Sequence, residues 1–132
     1  MMRVVVPIMA MLVSACSSTP ADLEQKAEPV TRSFAESYQE IYRRVSGPAR
    51  RCFAGNVGAY ASFAVDSDLY SDLGHGEITL SLINWGTRNY YMSTKIERAD
   101  SGSTLTVRAG NTLAAGNAIE NVLRWAGGDS AC

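Results

Sequence analysis

Histidine is nearly absent from this chain: His75 stands alone, and no Cys-x-x-Cys pair accompanies it. A zinc centre built on the usual cysteine and histidine spacings therefore has too few ligands. No apolar run approaches the roughly 20 residues that a helix needs to cross a hydrocarbon core. Gly74-x-Gly76 lacks the third glycine of a dinucleotide loop, and the stretch from Gly110 to Gly116 lacks the spacing and the lysine of a phosphate loop. Charge of one sign is missing too, since 12 Lys and Arg offset 13 Asp and Glu to leave a formal -1. No global field marks the chain as a nucleic-acid binder or an acidic tail. What is there is 132 residues, 46% hydrophobic and 19% charged, which fits one globular domain with no evident cofactor and argues against long disorder.

The first residues form an address. Arg3 supplies the charged start, Val4 to Val13 the apolar stretch, and Ser14 and Ala15 the small residues that precede Cys16. Leu12-Val13-Ser14-Ala15-Cys16 resembles the lipobox of bacterial lipoproteins. The resemblance implies cleavage before Cys16, a diacylglyceryl group on its thiol and an acylated new amino terminus carrying fatty chains such as palmitate. Ser17, where Asp would stand in a retained lipoprotein, implies export to the outer membrane facing the periplasm. The bland alternative is an ordinary cleaved signal. Two or more buried chains, at about 0.8 kcal/mol per methylene, anchor a protein firmly without any membrane-spanning helix. The organisation expected is a signal peptide over 1–15, a lipidated tether over 16–30 and one α+β domain over 31–132. Ser17 to Pro29, rich in Ser, Ala, Pro, Glu and Lys, reads as a flexible coil of roughly 20 Å root-mean-square reach.

With Cys16 given to the anchor, Cys52 and Cys132 remain in an oxidising compartment, and a disulfide between them is the expectation. On the chain-entropy account such a bridge stabilises by up to roughly 4.5 kcal/mol. The alternatives, metal ligation and a nucleophilic thiol, lack partners.

Phe34, Tyr38, Ile41, Tyr42 and Val45 share one helical face, which predicts a helix over Thr31 to Val45 with Ser33 and Glu36 at capping-box spacing and Ser46-Gly47-Pro48 as its stop. A short turn from Ala49 to Phe53 would follow. Alternating runs predict four strands, Tyr60 to Val65, Glu77 to Asn84, Tyr90 to Arg98 and Thr104 to Ala109. Trp85-Gly86-Thr87-Arg88 and Asp100-Ser101-Gly102-Ser103 serve as turns. A last helix is expected over Thr112 to Ala126, stopped by Gly127-Gly128. The order predicts an α+β two-layer sandwich: an N-terminal helix, a four-stranded antiparallel sheet and a C-terminal helix. It is similar in architecture to small helix-grip or related two-layer envelope lipoproteins, a similarity that carries no activity.

Three features invite chemistry. Asp66 to Glu77 places acids at positions 1, 3, 7 and 12 of a calcium loop, but Tyr70 and Ser71 occupy positions that need an oxygen ligand and a glycine, so a turn-rich strand connection is the reading. His75 between two glycines has no visible nucleophile to serve and reads as an exposed loop residue. Arg43, Arg44, Arg50 and Arg51 form a basic cluster that complements a helix dipole or contacts phosphate headgroups or another anionic envelope polymer. The sequence therefore predicts no catalytic residue, no metal and no cofactor. It points to a non-enzymatic, membrane-anchored envelope lipoprotein whose domain contacts a protein or an envelope polymer. The alternative is a module that holds a small ligand or lipid in a pocket between sheet and helix.

Overall fold

The computed structural model describes residues 19–132. The signal over 1–15 and Cys16 lie outside the described residues. Along the chain come α1 (Pro20–Lys26), β1 (Val30–Phe34), α2 (Tyr38–Phe53), β2 (Gly55–Asn56), β3 (Ala61–Tyr70), β4 (His75–Asn84), β5 (Thr87–Ala99), β6 (Gly102–Ala109) and α3 (Ala115–Ala126). The α+β class is as expected, but the described sheet has six strands in the order β1-β6-β5-β4-β3-β2, all antiparallel, instead of four.

The two added strands are short edges. β2 is two residues long, below the length at which alternation can be read. β1 takes the first turn of the expected helix: Val30 to Phe34 pairs with Val107 back to Ser103. Phe34 packs on the same core as Ile41 and Val45, so a strand residue lends the helical pattern a spurious extra turn. The helix begins at Tyr38, capped by Ser37, whose Oγ accepts from the Glu40 amide at 3.2 Å. Its expected stop also fails. Pro48 lies inside α2, and the segment beyond it is held by buried Ala49 and by Cys52.

The coil expected between anchor and domain contains α1. Thr19 and Asp22 form a capping box, Pro20 occupies the first turn where its missing N–H costs nothing, and Leu23 is buried. α1 packs on β5 and β6, and Leu23 and Ala27 sit beside Gly110.

The main core lies between one face of the sheet and the helices α2 and α3. Tyr38, Ile41, Val45 and Ala49 recur at helical spacing on α2 and meet Ile78 and Leu80 of β4, Met92 and Ile96 of β5, and Leu105 and Val107 of β6. Val122, Trp125 and Ala126 of α3 close it. Each such large side chain contributes about 1.5–3 kcal/mol by leaving water. Trp125 is fully buried, and its indole N–H donates to the carbonyl of Ala131 at 2.8 Å. Cys52 and Cys132 form the expected bridge with Cα atoms 5.5 Å apart, inside the usual disulfide range. The bond ties the final residue to the end of α2.

Candidate functional site

An apolar cleft of about 460 Å3 opens beside the core between the sheet and α3. Its floor is Phe63 of β3, Leu80 of β4 and Tyr91 of β5; Cys52 and Phe53 at the end of α2 form one wall, and Val57 overhangs it. On the α3 side stand Thr112, Ala114, Asn117, Ala118 and Asn121. The volume falls in the range of small-molecule sites.

Two local features create the cleft. The pairing of β4 with β5 shifts between Leu80 and Ser81: Leu80 faces Met92 while Ser81 faces Tyr90, so Tyr91 is an extra residue in a bulge. A bulge re-aims a side chain, and here Tyr91 turns onto the core side beside Phe63, with ring centroids 5.9 Å apart and the planes at 72°. The backbone there is anchored by the Gly110 amide donating to the Tyr91 carbonyl at 2.9 Å and by Asn111 Nδ2 donating to the Tyr90 carbonyl at 2.9 Å. The second feature is size. Ala114 and Ala118, one helical turn apart, face the sheet where larger side chains would fill the space. Thr112 accepts from the Ala114 amide at 3.2 Å and so starts the turn that leads into α3, although the helix itself begins three residues later than expected. The lining is mostly carbon, with the Asn117 and Asn121 amides and the Thr112 hydroxyl on the α3 side and the Tyr91 phenol on the sheet side. Such a surface recognises an apolar body with a polar end.

The four arginines are not one patch. Arg43, Arg44 and Arg51 line a groove of about 240 Å3 with Pro48, Trp125, Gly128 and Ser130. Arg50 points elsewhere and donates to Ser67 on β3. Each has an internal partner: Arg43 pairs with Glu40 at 2.8 Å, Arg44 with Glu36 at 3.1 Å and Glu40 at 3.2 Å, and Arg51 donates to the Ser130 carbonyl. Arg44 also donates to the Ala126 carbonyl at 3.1 Å, cementing α2 to the last turn of α3.

His75 opens β4 instead of lying in an exposed loop, and its side chain is mostly covered. It packs on Tyr70 with centroids 5.0 Å apart and stands 3.4 Å from Glu77. Asp68, burial and Glu77, in that order, hold the Tyr70 phenol above its ordinary range. That is the opposite of what activating a hydroxyl requires. The acids of the calcium-like stretch are spread along two paired strands: Asp66 takes Arg88 at 2.7 Å, and Asp68 lies opposite Glu77 in register. Among the described residues no three His, Cys, Asp or Glu side chains converge to hold a metal ion, and no helix there is long and apolar enough to cross a membrane.

The sequence contained the lining residues but not their convergence. From the sequence, Tyr60, Tyr70, Trp85, Tyr90 and Tyr91 read as core or edge packing around the sheet, or at strand ends as the rim of a ligand groove or partner surface; the bulge that turns Tyr91 inward breaks the alternation from which strand faces are read, and Ala118 was hidden because an absence of bulk carries no pattern. No family model, curated protein or solved structure matches the chain.

Proposed function

We propose that this chain is a lipid-anchored cell-envelope protein, attached through Cys16 to the outer membrane on its periplasmic side, whose domain binds a small apolar or amphipathic ligand between sheet and α3. Its role is binding, not catalysis. The observation that carries this reading is the 460 Å3 cleft with an aromatic and aliphatic floor and one polar wall. The anchor rests on the lipobox-like segment.

A second reading, contact with a protein or an anionic envelope polymer, is favoured by one observation: Arg43, Arg44 and Arg51 face a common groove. An anion there competes with Glu36 and Glu40 for the same guanidinium groups, which weakens the site relative to an uncommitted cluster.

Titration with an environment-sensitive naphthylamine probe and displacement by long-chain fatty acids separates the two. The expected result is saturable binding that Ala118→Trp lowers at least about tenfold by filling the cleft, with far-ultraviolet circular dichroism unchanged. Absence of saturable binding, or binding indifferent to Ala118→Trp, removes the ligand reading. If salt-sensitive retention on anionic vesicles is then found and depends on Arg43, Arg44 and Arg51, the second reading takes its place.

A further inference from the structure

Three stretches at one end of the sheet carry no charge. Residues 54–65, 78–87 and 109–119 contain no Asp, Glu, Lys, Arg or His, although 19% of the chain is Asp, Glu, Lys or Arg. The strand registers bring these three stretches together. Ala61 at the start of β3 pairs with Asn84 at the end of β4, Asn84 pairs with Thr87 at the start of β5, and the end of β6 lies beside Met92. β5 runs on past the end of β6, so the β4–β5 turn projects as a tip and the cleft mouth lies on its flank.

That tip is aromatic. Tyr60 and Trp85 are 64% and 74% exposed and stack on each other with centroids 4.1 Å apart, while the Trp85 amide donates to the Tyr60 carbonyl at 3.2 Å. On the flank, Val57 is 55% exposed and Leu113 fully so. Four of the seven exposed large apolar side chains of the described residues thus occupy the uncharged end. Trp85 holds its place in the left-handed region, at φ 51, followed by Gly86 at φ 78. A two-residue hairpin turn of this kind ordinarily takes Asn-Gly; here the first position presents an indole to solvent.

The amino-terminal segment arrives at the same end. β1 starts opposite Val107, near the end of β6, and α1 packs Leu23 and Ala27 against Gly110. Thr19 caps α1, and two residues, Ser17 and Ser18, separate it from Cys16 in sequence. From Cys16 to Thr19 a fully extended chain spans about 10 Å.

We infer that the uncharged end is a bilayer-docking surface, with Tyr60 and Trp85 seated at the headgroup level and the cleft mouth turned toward the lipid. Tryptophan and tyrosine favour this depth because an apolar ring and a polar N–H or O–H are both accommodated there. The cost of carrying ions there is small, because the tip itself has none and the neighbouring Arg88 is already paired with Asp66 at 2.7 Å. An acylated Cys16 would hold the tip within reach of the bilayer. The inference takes from the proposed function only that attachment, and it does not require a ligand in the cleft.

The two tryptophans make the test direct, because Trp125 is fully buried and Trp85 is not. The full-length protein is reconstituted with phosphatidylcholine vesicles, with or without bromine on the acyl chains, and flotation and tryptophan emission are read together. The expected result is a blue shift and a roughly twofold loss of the Trp85 component on brominated lipid. Trp85→Phe abolishes both changes, while the Trp125 emission persists as a check on folding. Quenching without stable flotation still supports docking and overturns only the anchor. Flotation with unquenched Trp85 overturns docking and leaves the anchor standing; neither signal overturns both. A shift produced by soluble polysaccharide and not by vesicles assigns the aromatic pair to a sugar and overturns the inference as well.

Discussion

The two ends of the sheet are closed by different means. At the charged end the chain is pressed together: Gly102, at φ 145, leaves no room for a Cβ against the carbonyl of Phe34 and the backbone of Ala35. Ser103 Oγ donates to the Glu36 carbonyl at 2.9 Å, the Tyr38 hydroxyl donates to the Ser71 carbonyl at 3.4 Å, and the Arg98 guanidinium lies over the Tyr38 ring at 5.3 Å. At the uncharged end Gly55, Gly58, Gly86 and Gly116 each have open space where a side chain would go. There the cleft keeps α3 apart from the sheet, and closure falls to the Cys52–Cys132 bond in the cleft wall. The difference teaches that a small domain can leave one end of its core unfilled when the other end is close-packed and a covalent tie substitutes for missing contacts.

Breaking the tie is the severest test of that contrast. Replacing both Cys52 and Cys132 by Ser lowers unfolding free energy by about 4 kcal/mol in denaturant titrations, and probe binding in the cleft falls with it. Next in size, Gly102→Ala costs about 3 kcal/mol, because the added methyl meets backbone that cannot move aside and φ stays in a region that side chains avoid. The matched change at the open end, Gly116→Ala, meets nothing and stabilises by about 0.5 kcal/mol through a less disordered unfolded chain. If the two glycine substitutions shift the melting temperature alike, the ends are not differently packed. Acid gives the smallest effect. Glu36 is held below the usual carboxylate range by a backbone N–H and by Arg44, and Asp129 by the Ala131 N–H and by Arg124. Depressed values of this kind contribute stability that is fully present above the ordinary carboxylate range and is lost as pH falls through the folded values. Thermal melts should therefore be flat near neutrality and decline only at acid pH, with Glu36→Gln and Asp129→Asn blunting the decline.

Much of the fold was legible because burial in a two-layer domain leaves periodic traces. Ile78, Leu80 and Leu82 alternate on β4, and Ile119, Val122, Leu123 and Ala126 recur at helical spacing on α3. The cysteine pair followed from counting. The amino-terminal third was misread for two physical reasons. Phe34 is strand and Tyr38 is helix, yet both serve one core, so their spacing imitates a single helix. A composition of Ser, Ala, Pro and Glu reads as coil unless a tertiary contact, here Leu23 against Gly110, supplies what local propensity lacks. The site was less legible than the fold. His75, Asp66 and the arginines draw the eye by their chemistry, whereas the cleft is made by small residues and a bulge.

One pairing has a bearing on how the molecule is made. Among the described residues β1 hydrogen-bonds only to β6, with Thr31 set beside Thr106 across most of the domain's length. Until β6 and α3 exist, the opening strand has no neighbour and the core under α2 lacks Leu105, Val107, Val122 and Trp125. Such non-local closure makes assembly slow and places its decisive step after the last third of the polypeptide has arrived. A nascent chain of this design stays incompletely folded until synthesis is nearly done.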